Sequence, residues 1–145
     1  MKTKLRKSKK ISVRKLKDRV WELCSQYIRM RDCLKTTGDI DYGHCITCGR
    51  FIRRTEAHAG HFISRSHSAT LFDETNVHLQ CPRCNLFCGG EPLKYRREIV
   101  RLYGEGYDLE LEEKAMQEKH WTIVELEKLK EDFKKKIKKL STSSK

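Results

Sequence analysis

The sequence has no run of roughly 18 apolar residues, the least a membrane-spanning helix needs, and no apolar core follows its basic N-terminus as in a signal peptide. It also has no internal repeat, and only the closing STSSK is low in complexity. Acidic residues are scarce at both ends. Residues 1–20 hold ten Lys/Arg against Asp18 alone, and residues 121–145 hold eight lysines against four acids. The net charge of +12 therefore divides into +9 and +4 at the ends and −1 between them. These features predict a soluble, cytoplasmic chain whose natural partner is a polyanion, with no membrane association. At 145 residues it is one domain's worth, able to bury one modest core.

Seven cysteines are present, and four fall in two CxxC pairs, Cys45/Cys48 in CITC and Cys81/Cys84 in CPRC. In a reducing compartment this spacing reads as metal rather than disulfide. Four thiolates suit tetrahedral Zn²⁺ and leave no open coordination position, so the expected ion is structural. Cys24 and Cys33 read as core thiols, and Cys88 lies outside the paired spacing.

Apolar residues recurring every three to four positions predict an amphipathic helix over 12–33, ended by TTGDIDYG. A second helix is expected from Pro92 to Gly104, and a short acidic one over about 108–119. A capping box, Thr122 to Glu125, opens a lysine-rich helix over 122–140. Between the helices, RRTEAHAGHFIS and NVHLQ read as two strands of a hairpin joined by a long loop, about Arg65 to Thr75. The domain reading is a basic tail over 1–11, one domain over 12–140 with its core at about 42–104, and a disordered tail over 141–145.

A plain zinc ribbon needs only about 15 to 20 residues between its pairs, whereas 32 separate these. The surplus holds the hairpin with His58, His61, Asn76 and His78. AGH, TNVH and CPRCN place His61, Asn76 and Asn85 on the three positions of the HNH, or ββα-metal, nuclease pattern, which the chain resembles. Through CITCG, AHAGHF, FDETNVHLQCPRCN, YRREIVRLYG and HWTIVEL it more closely resembles the phage lambda NinG (Rap) family of recombination proteins, over about residues 20–140. The resemblance implies an α+β fold: a small zinc-stapled, treble-clef-like ββα-metal core flanked by amphipathic helices. It also implies a metal-dependent endonuclease acting on branched DNA such as Holliday junctions and D-loops, in the host cytoplasm.

Neutral imidazole is suited to deprotonating water near pH 7, which makes His61 the expected general base. Asn85 can offer an amide oxygen to a catalytic Mg²⁺ or Mn²⁺, and Asn76 orients His61 or ties down the long loop. Gly60 departs from the HNH pattern, which usually carries Asp, Glu or His directly before the base. His58 is the nearest replacement ligand, with Asp73, Glu74 and His78 as alternatives. Arg65, Arg83, Arg96 and Arg97 are expected to position phosphates, and two symmetric cuts in a junction would suit a homodimer. The rival reading is a zinc-stabilised nucleic-acid-binding adaptor that does not cut, which would have no use for His61 and Asn85 together.

Overall fold

In the computed structural model, which describes residues 11–143, the long N-terminal helix α1 spans Val13–Thr37. Ser12 caps its start, its side chain accepting from the Lys15 N–H at 3.2 Å. Gly38, at φ 79°, closes its end by donating to the Leu34 carbonyl. The helix runs four residues past the expected end. That last turn is polar and is held by side chains: Thr36 Oγ1 accepts from the His44 N–H at 3.1 Å, and Thr37 Oγ1 donates to the Tyr42 carbonyl at 2.7 Å.

Leu16, Val20, Leu23, Cys24 and Ile28 form the buried stripe of α1. They join Leu126 and Phe133 of the last helix, α4 (Ile123–Ser143), in the main core. The capping box forms: Thr122 N–H donates to Glu125 at 2.9 Å, and Glu125 N–H donates to Thr122 Oγ1 at 3.2 Å. The basic terminal segments at 1–10 and 144–145 lie outside the described residues.

Two small antiparallel sheets lie between these helices. Strands β1 (Tyr42–His44) and β2 (Phe51–Arg53) form the first hairpin, with the first cysteine pair in its turn. Gly43 is required there, because a Cβ would sit 2.7 Å from Leu79 Cδ2 and 3.0 Å from the Cys33 Cα. Strands β3 (His58–His61) and β4 (Val77–Gln80) form the second, pairing His58 with Gln80 and His61 with Val77.

A buried ion pair fastens α1 to β4. Arg31 Nε meets Asp32 Oδ1 at 2.8 Å, Asp32 Oδ2 accepts the Leu79 N–H at 2.8 Å, and Arg31 donates to the carbonyls of Glu74 and Val77. Each partner is thus neutralised and hydrogen-bonded, the condition under which buried charge is tolerated.

The loop joining β3 to β4 is anchored along its length. His67 Nδ1 donates to the Ala115 carbonyl at 3.2 Å, and Trp121 Nε1 donates to the Ser68 carbonyl at 3.0 Å. After β4, Cys81 leads into a π-type turn (Arg83–Phe87) that carries Cys84, and helices α2 (Pro92–Tyr103) and α3 (Tyr107–Ala115) follow. The helix expected over about 108–119 therefore ends earlier, at Ala115. No described helix is long and apolar enough to cross a membrane.

Candidate functional site

Cys45, Cys48, Cys81 and Cys84 converge, with their Sγ atoms all within 4.8 Å of one another and Cys48 and Cys81 at 3.7 Å. Tetrahedral zinc with bonds of about 2.3 Å separates its sulfurs by about 3.8 Å, so the cluster fits that ion. Burial pushes the Cys45 thiol up, but donors from Thr47 and the backbone at Cys81, Cys48 and Thr47 outweigh it and bring it down to about 7. His44 braces the knuckle by donating from Nδ1 to the Gly49 carbonyl at 2.9 Å. Cys24 is buried in the main core, Cys33 packs beside Cys45, Cys81 and Cys84 without joining the four converging sulfurs, and Cys88 is exposed.

Beside this cluster, Asn85 on the π-type turn reaches β3, its Nδ2 lying 3.1 Å from His58 Nδ1. Two side chains 27 residues apart are thus brought together, the Asn85 amide N–H donating to His58 Nδ1. Side chains alternate along a strand, so His58 and Gly60 share the face of β3 turned toward this turn, while His61 projects from the other face. Gly60 has no room for a side chain: a Cβ there would lie 1.9 Å from Gln80 Oε1.

His61 stacks on Trp21 of α1, ring centroids 4.6 Å apart, and its Nε2 lies 3.0 Å from the Leu71 carbonyl. A carbonyl only accepts, so Nε2 carries the proton and Nδ1 keeps its lone pair. Burial lowers the His61 pKa, the Leu71 carbonyl opposes that shift, and Arg65 adds to it. The outcome is a neutral imidazole with one ring nitrogen fixed as donor and the other available as acceptor. Next to it, Arg14, Lys17, Trp21, Arg65 and Leu71 line a surface groove of about 410 Å³, with the Arg65 guanidinium 5.4 Å from the Trp21 ring.

Several expected site residues serve other ends. Asn76 is fully buried, its Oδ1 accepting from the Ile63 N–H and its Nδ2 donating to the carbonyls of Ile63 and Thr70. It clamps the loop that carries Leu71, the second of its two expected roles, and its full burial keeps it from contacting a substrate directly. His78 is buried between two tyrosines. Tyr95 O–H donates to the Gly60 carbonyl at 2.7 Å, so His78 Nδ1 must donate to Tyr95 and its Nε2 accept from Tyr103. Both nitrogens are used, which removes His78 as a ligand.

Asp73 and Glu74 are likewise engaged, with Lys114 at 2.6 Å and Lys136 at 2.8 Å. Arg96 pairs with Asp108 at 2.6 Å and with Glu112, stapling α2 to α3, so it is not free for phosphate. Arg65, Arg83 and Arg97 are exposed. Neither Trp21 nor Gln80 was singled out by composition or spacing.

These features define an α+β protein with a four-cysteine cluster able to hold a zinc ion. The chain belongs to the NinG family: the family model described as Bacteriophage Lambda NinG protein matches residues 1–143. Among curated relatives, it is 32% identical over 100 residues to Protein ninG of Escherichia phage 933W, covering 68% of this chain and 49% of that protein. It is 32% identical to Protein ninG of Escherichia phage lambda and 31% identical to that of Salmonella phage P22, in each case over 68% of this chain and 48% of the relative. The chain spans about half the length of the curated relatives it matches. No solved structure matches it.

Proposed function

We propose that this chain is a metal-dependent, structure-selective DNA endonuclease of phage recombination, with an HNH-type, treble-clef-like ββα core. The observation that carries the reading is the meeting of His58 and Asn85 at 3.1 Å on one side of β3, with His61 fixed by the Leu71 carbonyl on the other. His61 Nδ1 takes the proton from the attacking water, and the desolvation that lowers its pKa keeps it unprotonated for that task.

His58 and Asn85 would hold the divalent cation. An imidazole and an amide oxygen leave most coordination positions to phosphate and water, which fits Mg²⁺ and, with a nitrogen donor, fits Mn²⁺ better. Such a cation supplies positive charge to the phosphate and leaving oxygens. Arg14, Lys17 and Arg65 attract the DNA backbone toward His61, and their contacts with phosphate carry no sequence preference. The four cysteines and their zinc keep the Asn85 turn in place and take no part in the chemistry.

Incubating zinc-loaded protein with a four-way DNA junction, a D-loop and linear duplex, each with Mg²⁺ or Mn²⁺, tests the reading. Metal-dependent nicking with preference for the branched substrates supports it. Binding without nicking under every metal would assign the chain to the non-cutting adaptor class instead.

A further inference from the structure

Gln80 ends β4, directly opposite His58 in the hairpin register. It is fully buried, and its Oε1 is a buried side-chain oxygen with no hydrogen-bond partner among the described residues. An unpaired buried acceptor costs about 1 to 3 kcal/mol, so its retention calls for an explanation.

The amide cannot turn over to relieve this. Gln80 Nε2 lies 3.0 Å from the Gly90 carbonyl and 3.1 Å from Thr47 Oγ1. A carbonyl only accepts, so the atom facing Gly90 must be the NH₂ group, and Oε1 must face the other way. That direction is toward Gly60, where Oε1 lies 1.9 Å from the point a Cβ would occupy. The oxygen therefore fills the space a side chain at position 60 would take. It does so on the face of the hairpin that carries His58.

Resting on the nuclease reading above, we propose that Gln80 Oε1 is a third ligand of the divalent cation, joining His58 and Asn85 in place of a side chain at position 60. A neutral amide oxygen suits Mg²⁺ and Mn²⁺ alike. The set then has one nitrogen and two oxygen donors, with no carboxylate. Gly60 and Gln80 form one device: the glycine makes room, and the glutamine occupies the room with an oxygen fixed in direction from behind.

Mn²⁺ binding to the zinc-loaded full-length chain, read from the electron paramagnetic resonance of free Mn²⁺, tests this without any need for activity. Gln80→Ala is expected to weaken Mn²⁺ binding by about tenfold or more. Gly60→Asp/Gln80→Ala is expected to recover it, because the aspartate enters the space the glutamine has left and returns an oxygen to it. Zinc content and the thermal midpoint of each variant separate loss of a ligand from loss of fold.

Mn²⁺ affinity unchanged in folded Gln80→Ala would overturn the proposal and leave Oε1 as the partner of a buried water. Recovery in the double variant would support it even if Gln80→Ala proved less stable. If Gln80→Ala bound Mn²⁺ normally while wild-type protein cut DNA only with metal, the ligand assignment would fail and the nuclease reading would survive. If wild type bound no Mn²⁺ and cut nothing, both would fail.

Discussion

Asn85 and His58 touch across the second hairpin, Nδ2 to Nδ1 at 3.1 Å, although they belong to different elements. Asn85 directly follows Cys84, and its N–H donates to the Cys81 carbonyl at 3.0 Å. The contact is therefore set by the cysteine cluster, which pins the turn from which Asn85 projects.

Zinc removal should consequently unfold the centre and separate this pair. Replacing Cys81 or Cys84 with Ser should give protein without zinc and with reduced far-UV circular dichroism, because zinc binding free energy is also folding free energy. A wild-type preparation that was soluble, folded and free of zinc by elemental analysis would refute the assignment of the cluster.

The Arg31–Asp32 clamp should dominate the docking of α1. Asp32→Ala strands a buried guanidinium and leaves the Leu79 N–H without its partner, an effect expected to cost about 3 to 5 kcal/mol in urea denaturation. Glu22→Ala, which breaks an exposed pair with Arg19, should cost less than about 1 kcal/mol. Similar costs for the two variants would contradict a structural role for the buried pair.

Acid should destabilise the protein through His78. Burial lowers its folded pKa from 6.5 to about 4, so protonation favours the unfolded chain. Its contribution is fully present above pH 6.5 and is lost as pH falls toward about 4, in total on the order of 3 kcal/mol. His78→Gln should flatten the stability curve in that window, and the difference between the two curves cancels the acid response of the cysteine cluster. Parallel curves for the two proteins would contradict this.

What the sequence made legible follows periodicity and spacing. The stripe of α1, the capping box at Thr122 and the paired cysteines each place a strong local preference on a few residues. Contacts that depend on distant partners were hidden. Arg31 and Asp32 are adjacent charges in a helix, and nothing in their spacing points to the β4 carbonyl and N–H that bind them. Arg96 read as a phosphate ligand because Asp108 and Glu112, 12 and 16 residues on, belong to the next helix. The three-residue strands β1 and β2 are too short for alternation to register. At the candidate site, His58 and Asn85 were legible as residue types, but their contact needed the register of the hairpin against the turn.

The groove beside His61 should account for part of the salt dependence of DNA binding. Arg14→Ala/Lys17→Ala/Arg65→Ala should reduce the slope of log affinity against log salt by about 2 to 3 units, since each phosphate contact releases about one counterion. Fluorescence anisotropy with a labelled four-way junction reads this. Lys35→Ala/Arg50→Ala/Arg53→Ala is the charge-matched control, with Lys35 about 27 Å along α1 from Lys17. Equal slopes in the two triple variants would leave the attraction with the net charge of the chain and not with the groove.

The most direct test of the account is cleavage of a four-way junction across a range of Mn²⁺ concentrations by wild type, His61→Ala and His58→Ala. His61→Ala should lose about 10² to 10⁴ in rate at every metal concentration while keeping zinc and DNA affinity, as expected for removal of a general base. His58→Ala should require more metal and regain part of its rate when Mn²⁺ is in excess. Cleavage by His61→Ala at the wild-type rate throughout the titration would contradict the central claim.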